Sequence, residues 1–231
     1  MANTVRRLES DDVAAVEALL AAKRRQLAEW SPQFWRTAAG AVEVHELFLQ
    51  WLLSDDANVG LTTADVDGVL IATPRDGAWL IDDFAVSGPG AWSTVGRALL
   101  EHAREQLGAG ISVVCASRDV EQRALLDTCA LVPYEEWWVA DPALVATFAS
   151  PAAASGDLPV ASIVPAPPVY DPGGPVALVS TWDGERDSLA AYARAVDGEC
   201  ALVVVPVGFD DERRRAAVED LGFTVASVWY R

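Results

Sequence analysis

The sequence predicts an α/β (α+β) fold with a second, smaller β-α-β-α-β unit in its C-terminal part. The first observation is a strand, a turn and a helix over 78–106, the stretch around which the chain is organised. Short runs of strand-favouring residues also alternate with segments of helical periodicity along the chain. The third observation is an internal similarity at an offset of 92 residues. A chain of 231 residues has room for one large domain or two small ones.

The stretch over 78–106 combines a strand with an amphipathic helix. Trp79–Val86 is rich in strand-favouring residues and is followed by the turn formers Ser87-Gly88-Pro89-Gly90. Apolar residues then recur at steps of three and four from Val95 to Leu107, which predicts a helix. Such a helix begins with free backbone N–H groups and the positive end of its dipole. The stretch therefore predicts a site for an anion such as a pyrophosphate.

The other elements of the first 148 residues follow from apolar patterning and from residues that cap or break helices. Ser10-Asp11-Asp12 caps a helix that Ser31-Pro32 interrupts, and Asp119 caps another. Strands are predicted at 4–8, 58–63, 67–73, 79–86, 111–117 and 131–140, and helices from 13, at 41–53, from 95 and from 119 to 129.

Ile81-Asp82-Asp83-Phe84-Ala85-Val86 followed by Val95-Gly96-Arg97-Ala98-Leu99-Leu100 resembles the acyl-CoA-binding core of the GNAT superfamily of N-acyltransferases. The order of elements over about residues 3–140 also resembles that of the family. The resemblance implies a mixed central sheet flanked by helices. In the family the turn carries Arg or Gln, two residues, Gly, one residue, then Gly or Ala. These positions fall on Ala91, Thr94 and Gly96, so only the last matches and the pyrophosphate loop is degenerate.

The resemblance implies acetyl-CoA as co-substrate and transfer of its acetyl or other acyl group to a primary amine. In the family, main-chain groups of the central strand hold the pantetheine arm, and amides of the following turn, here Ser93–Arg97, hold the pyrophosphate. The implied cofactor-binding residues are Phe84, Ala85, Val86, Ala91, Trp92, Ser93, Thr94, Val95, Gly96 and Arg97.

The candidate general bases are Asp82 and Asp83, because GNAT enzymes often carry an acidic residue on this strand. Side chains alternate along a strand, so the two carboxylates are expected on opposite faces, with only one toward the substrate. Many family members also use a tyrosine as general acid. Its position falls on Leu126, and on Val218 in the second unit, which leaves Tyr134 as the nearest alternative.

Three aromatic residues are candidates for the acceptor site. Trp30, Phe34 and Trp35 fall around a loop between two helices that commonly lines the acceptor site in the family. Aromatic walls with acidic neighbours would suit a cationic or aromatic amine.

Residues 149–175 are rich in proline, alanine and glycine, which predicts a connection between two units, with an edge strand at 160–164. Beyond it, the offset of 92 places Asp119 over Asp211 and Trp137 over Trp229. The predicted organisation is a GNAT-like domain over 1–148, a connection over 149–175 and a truncated GNAT-like repeat over 176–231. The repeat carries acidic residues where its first helix begins, so it is expected to be structural.

The histidines and cysteines do not form the pattern of a metal site. His45 and His102 are the two histidines, and His45 is expected at the surface or its boundary. Cys115, Cys129 and Cys200 lack the short paired spacing of zinc ligands, and the first two lie on apolar faces, as buried thiols do. The prediction is that no metal is bound.

The composition limits the class of partner. The formal net charge is −17, which disfavours electrostatic binding to nucleic acid or to an anionic membrane. Neither a signal segment nor an apolar run of about 18 residues is present, so a cytoplasmic protein is expected. The expected partner is a small-molecule or peptide amine, and the protein is expected to be a monomer or a homodimer.

Two functions remain open at this point. The first is an N-acetyltransferase, which the strand, the turn and Gly96 favour. The second is a catalytically degenerate GNAT-like protein that binds a ligand or a partner, which the missing turn residues favour. A dinucleotide-binding oxidoreductase is excluded because no Gly-x-Gly-x-x-Gly follows an N-terminal strand.

Overall fold

A computed structural model describes residues 4–108, 110–149 and 158–231. It contains a single ten-stranded mixed sheet flanked by helices, which confirms the predicted fold class. The strands are β1 Val5–Arg7, β2 Val59–Thr63, β3 Gly68–Arg75, β4 Ala78–Val86, β5 Ile111–Ala116, β6 Pro133–Ala140, β7 Val160–Val164, β8 Val176–Thr181, β9 Leu202–Gly208 and β10 Thr224–Tyr230. The helices are α1 Val13–Trp30, α2 Ala41–Leu53, α3 Arg97–Leu107, α4 Val120–Thr128, α5 Pro142–Ala146, α6 Arg186–Val196 and α7 Glu212–Asp220.

The predicted elements of the first 140 residues are all present, with ends shifted by a few residues. The helix after β4 differs at its start: a 3₁₀ turn at Pro89–Ala91 and a π-helical turn at Trp92–Gly96 precede α3. Helix α5 was not predicted from the sequence. Strand β7 lies at the edge of the sheet, as expected for 160–164. The irregular stretch predicted over 150–156 lies outside the described residues.

The strand order is β1-β2-β3-β4-β5-β10-β6-β9-β8-β7, with β4/β5 and β8/β9 parallel and the other neighbours antiparallel. Strand β10 therefore lies between β5 and β6, and β6 lies between β10 and β9. Thus β6, the last strand of the first half (residues 1–148), lies between two strands of the second half. Likewise β10, the last strand of the second half, lies between two strands of the first half. Where the halves meet, the rings of Trp137 and Trp229 stack with centroids 5.1 Å apart.

The two halves share local features at the offset of 92. Asp119 caps α4 by accepting a hydrogen bond from the Gln122 N–H, and Asp211 caps α7 by accepting one from the Arg214 N–H. Helix α6 begins at Arg186, three residues before the predicted Leu189. The starts of α3 and α6 are therefore not related by the offset of 92 residues. The division into 1–148, 149–175 and 176–231 remains a prediction. The strands from all three segments belong to one continuous sheet.

Helices cover both faces of the first half of the sheet. Alternate side chains of β3 point to opposite sides, so Val69 and Ile71 pack under α1 and α2, and Leu70 and Ala72 pack against α3. In the second half, α5, α6 and α7 cover one face. The other face is covered by Phe34 and by residues 164–166, which precede β8. Among the described residues, no helix combines the length and the apolar character needed to span a membrane.

Strands β4 and β5 diverge towards their C-terminal ends. They pair in parallel only from Trp79↔Ile111 to Ile81↔Val113, although β4 continues to Val86 and β5 to Ala116. Backbone groups beyond the last pair are therefore available on both strands. This opening lies at the centre of the candidate site.

Candidate active site

A cavity of about 510 Å³ lies against the sheet, on the face covered by α1 and α2. Its floor consists of side chains from β4, β5, β10, β6, β9 and β8. Helices α1 and α2, the loop at 34–35 and residues 164–172 form its walls and roof. We call residues 164–172 the strap.

A β-bulge in β4 directs two carboxylates into this cavity. Ile71 pairs with Asp83 and Ala72 pairs with Ile81, so Asp82 is an extra residue in β4. Ile81 and Phe84 both pack in the core beneath α3, and the two residues between them line the cavity on the opposite face. The prediction that Asp82 and Asp83 point to opposite faces is therefore wrong, because the bulge interrupts the alternation of side chains.

The two carboxylates differ in their surroundings. Burial and the negative charge of Asp83 raise the pKa of Asp82 to about 6. The Asp82 side chain is open to the cavity, but the concave walls around it replace much of the water that would stabilise its charge. Asp83 instead lies 3.2 Å from His45 through its Oδ2 atom. Asp82 therefore keeps its proton to a higher pH than an ordinary aspartate does.

Behind Asp83 lies a buried polar network of Glu17, Arg24 and His45. These three residues are 1–4% exposed. The guanidinium of Arg24 donates a hydrogen bond to Glu17 Oε1 and lies 2.7 Å from His45 Nδ1. Glu17 Oε2 is also 2.7 Å from His45 Nδ1, and His45 Nε2 faces Asp83. A protonated His45 donates to Glu17 through Nδ1 and to Asp83 through Nε2.

The network favours this protonated form. Burial and the positive charge of Arg24 lower the pKa of His45, but the hydrogen bond to Asp83 and the negative charges of Asp83 and Glu17 outweigh them, and the net shift is upward. When it is protonated, His45 places a positive charge 3.2 Å from the Asp83 carboxylate. The expectation of a surface or boundary histidine is wrong, because α1 and α2 enclose the ring. The signal in the sequence was the presence of Glu17 and Arg24 on one face of a helix, seven residues apart.

The strap closes the cavity and contributes a tyrosine. The Ala38 N–H donates to the Val169 carbonyl (3.0 Å), and the Asp171 N–H donates to the Arg36 carbonyl (2.8 Å). Tyr170 packs edge-on against Trp35, with centroids 5.0 Å apart. Burial, and the negative charge of Asp83 to a smaller degree, raise the pKa of Tyr170. Sequence patterning missed Tyr170, because this proline-rich stretch was interpreted only as a connection between two units.

The predicted aromatic residues are divided between two cavities. Phe34 and Trp35 line the first cavity. Trp30 lines a second cavity instead. Tyr134, the candidate general acid, is not among the residues that line either cavity, and the guanidinium of Arg231 lies over its ring at 5.0 Å. The structure does not bring Tyr134 together with Asp82.

The second cavity, of about 530 Å³, lies where β4 leads into the turn before α3. Its other walls are formed by α1 and by the start of α4. Lys23 lines both cavities and pairs with the Asp119 carboxylate. Its Nζ atom is 3.3 Å from Gln122 Oε1 and lies over the rings of Trp30 (5.4 Å) and Trp92 (5.1 Å). Lys23 thus borders both cavities.

The turn before α3 differs from the predicted pyrophosphate loop. The N–H of Trp92 donates to the Pro89 carbonyl, and the N–H of Arg97 donates to the carbonyls of Trp92 and Thr94. These amides are used within the helix, so the prediction that the Arg97 amide holds a phosphate is wrong. The Arg97 side chain points towards Glu101 (3.6 Å) and away from the second cavity.

The other predicted cofactor residues are dispersed. Val86 and Trp92 line the second cavity, whereas Phe84 packs in the core beneath α3 and also contributes to the lining of the first cavity. Ala85 and Val95 are buried in the hydrophobic cores on opposite faces of the sheet, and Ala91 packs at the edge of one of them. Ser93 and Thr94 are exposed, with hydroxyls 3.5 and 3.4 Å from the carbonyls of Gly90 and Ala91.

Gly96 makes room for a tryptophan ring. A Cβ atom at this position would lie 2.7 Å from Trp92 Cε3 and 3.1 Å from Leu125 Cδ2. We expect Gly96→Ala to lower the free energy of unfolding by about 1–3 kcal/mol, because the ring and the helix would have to separate. Urea unfolding followed by tryptophan fluorescence measures the change. Gly90→Ala is the control: its Cβ would meet nothing within 4 Å, so it should cost under about 0.5 kcal/mol. Equal losses in both variants would contradict this role of Gly96.

No family model matches the chain, and no curated protein matches it in sequence. The chain is similar to the solved structure of a candidate acetyltransferase from Thermoplasma acidophilum, with a TM-score of 0.55 and 12% identity. That similarity covers 98% of this chain and 97% of the other.

Two further solved structures match the chain in part. The GNAT-family acetyltransferase from Streptococcus pneumoniae has a TM-score of 0.40 and 21% identity, over 58% of this chain and 87% of its own. The PaiA N-acetyltransferase from Thermoplasma acidophilum in complex with coenzyme A has a TM-score of 0.44 and 11% identity, over 58% and 91%. Because the first of these structures matches along nearly the whole length of both chains, this chain shares its fold.

Proposed function

We propose that the protein is an N-acyltransferase that transfers an acetyl group from acetyl-CoA to a primary amine of a small molecule or peptide. The observation that carries this proposal is the position of Asp82. Its carboxylate, with a pKa of about 6, lies in a cavity beside the point where β4 and β5 diverge. An amine bound there would meet both a proton acceptor and the open backbone of the sheet.

The second cavity has the groups that a CoA nucleotide needs. Lys23, Arg25 and Arg118 bring three positive side chains to its walls, in place of the basic residue that the turn lacks. A Cβ at Gly88 or Gly90 would meet nothing within 4 Å, so an extended ligand has room beside the backbone there. Glu29, Asp119 and Glu121 in the same lining balance these three charges, and Lys23 already pairs with Asp119, so Arg25 and Arg118 are the side chains left to contact the phosphates of acetyl-CoA.

Asp82 has the chemical role of general base. Acetyl-CoA supplies an acyl group activated as a thioester. The Asp82 carboxylate accepts a proton from the bound ammonium group, directly or through a water molecule, and leaves a neutral nitrogen with a free lone pair. Asp83, held by His45, adds negative charge that favours binding of the cation. The strap and α1 limit the access of water to the nitrogen.

One observation favours the alternative, a degenerate GNAT-like protein that binds a ligand or partner without transferring an acyl group. Lys23, which borders both cavities, pairs with Asp119 in the wall of the second. If the pair stays closed, an acyl group bound on one side does not reach an amine on the other.

Titration calorimetry with acetyl-CoA and with free CoA distinguishes the two functions. We expect micromolar binding, and a loss of about 10- to 100-fold in affinity in Arg118→Gln, because one charged contact to a phosphate is removed. Arg97→Gln is the matched control, since Arg97 faces Glu101 and lies outside the cavity, and it should bind like the wild type. Absence of binding at millimolar CoA would favour the degenerate protein.

A further inference from the structure

The floor of the first cavity crosses the boundary between the two halves of the sheet. It runs over six neighbouring strands, from β4 through β5, β10, β6 and β9 to β8. At about 4.8 Å between neighbouring strands, the floor is about 24 Å long. A cavity of about 510 Å³ spread over this length is narrow and elongated. Its shape suits an extended ligand better than a compact one.

Charge is confined to one end of this cavity. Its charged lining side chains are contributed by α1, α2, β3 and β4: Lys23, Arg24, His45, Arg75, Asp82 and Asp83. The lining residues from 114 to 229 include no Asp, Glu, Lys, Arg or His among those described. At the far end the floor consists of Val176, Leu178, Leu202 and Val204.

Most charges at the polar end are already balanced. Arg24 and His45 pair with Glu17, His45 also pairs with Asp83, and Lys23 pairs with Asp119. In contrast, no ion pair to Asp82 is present among the described residues. Asp82 therefore presents a negative charge that a ligand cation would match, near one end of a long apolar space.

The roof over the far end is also apolar. On this face of the second half the strap takes the place that α1 and α2 occupy in the first half. Val164 and Ala166 of the strap pack with Phe34 over the valine and leucine side chains of β8 and β9. A ligand that places a second charge here would lose its hydration without gaining a partner.

We propose that the acceptor is an elongated amphipathic amine, with its ammonium group at Asp82 and an alkyl or arylalkyl body along the floor that the second half of the chain supplies. This assignment of a substrate class rests on the proposed acyltransferase function. It gives the second half a direct role in binding the acceptor, where the sequence predicted a structural role alone.

Primary n-alkylamines from butylamine to decylamine test the proposal, with kcat/KM measured by CoA release and binding measured by calorimetry. Each buried CH₂ is worth about 0.8 kcal/mol, so kcat/KM should rise about fourfold per CH₂. The α,ω-diamines of equal length should be poorer substrates by at least tenfold. A kcat/KM that stays flat with chain length, or diamines that equal the monoamines, would overturn the proposal.

The variant Leu178→Glu tests whether the apolar body of the amine lies at the far end of the first cavity. Leu178 is half-buried in the cavity lining, and its replacement should remove the preference for decylamine over butylamine, so that the ratio of their kcat/KM values falls to near one. Ile163→Glu is the control: Ile163 is 53% exposed on β7 and is not a lining residue, so the chain-length preference should persist. An unchanged preference in Leu178→Glu that still binds acetyl-CoA would contradict the assignment.

Binding without turnover separates this proposal from the proposed function. Decylamine that binds much more tightly than butylamine, with no acetyl transfer, would support the amphipathic site and refute the acyltransferase. Transfer to short and long amines at equal rates would support the acyltransferase and refute the amphipathic site.

Discussion

Replacing Asp82 with asparagine is expected to lower kcat/KM by roughly 10²- to 10³-fold, because the amide keeps the shape of the carboxylate but accepts no proton. In the wild type, kcat/KM should rise as the pH increases through about 6, since Asp82 must be ionised to act as a base. The variant should lose this rise and keep only the dependence that comes from ionisation of the amine. Steady-state rates from pH 5 to 9 with a saturating acetyl donor measure both effects.

Asp83→Asn is the informative control for this experiment. Asp83 raises the pKa of Asp82 by its negative charge, so its removal should shift the rise in kcat/KM to a lower pH. The loss of rate should be smaller than in Asp82→Asn, because the proton acceptor is still present. An Asp82→Asn variant that retains the rise through about pH 6 would show that another group is the base.

The same variant has a consequence for stability that can be measured without a substrate. The pKa of Asp82 is about 6 in the folded protein, above its ordinary value of 3.8. The folded state therefore binds the proton more tightly, and this contribution to stability is lost as the pH rises from 3.8 to about 6. At pH 8 the asparagine variant should have a higher melting temperature than the wild type, with the difference disappearing below the lower pKa.

Replacing Arg24 with methionine is expected to lower the free energy of unfolding by about 3–5 kcal/mol. Arg24 is 4% exposed and Glu17 is 1% exposed, so the variant leaves the Glu17 carboxylate buried with only His45 as its partner. Urea unfolding at pH 7 measures the loss. The double variant Glu17→Met/Arg24→Met should be more stable than Arg24→Met, because it leaves no buried carboxylate without its guanidinium.

Arg97→Met is the matched control at an exposed ion pair. Arg97 and Glu101 are 3.6 Å apart with side chains 37% and 56% exposed, and such pairs contribute about 0.3–0.5 kcal/mol. A cost below about 1 kcal/mol for Arg24→Met would mean that the network adds little to stability. The network would then act mainly by holding His45 against Asp83.

The elements of the first 140 residues were predictable because each leaves a local pattern. The alternation of apolar residues, the caps at Ser10–Asp12 and Asp119 and the breaker at Ser31-Pro32 depend only on near neighbours in the chain. The bulge at Asp82 leaves no such pattern, since one extra residue in a strand is visible only against its partner β3. For this reason the sequence predicted that the two carboxylates lie on opposite faces of the sheet, although the fold directs both into one cavity.

The candidate site was predictable only where it coincides with β4 and the loop at 34–35. Hydrogen bonds between the strap and residues 36–38 hold Tyr170 at the cavity. These bonds join segments that are more than 130 residues apart in the chain. Gly96 illustrates the opposite error. It matches the family pattern for a phosphate turn, but the space of its missing side chain is filled by Trp92. A motif residue can thus be present for packing alone.

The position of β10 between β5 and β6 also governs how the protein is made. Ser117, just after β5, and Val225, on β10, are joined by a hydrogen bond across 108 residues of chain. Such non-local pairings raise the contact order and slow folding. During synthesis the first half emerges with the edges of β5 and β6 unpaired, and they remain so until β10 is available. Neither half can close its sheet alone, so the two halves should fold and unfold as one cooperative unit.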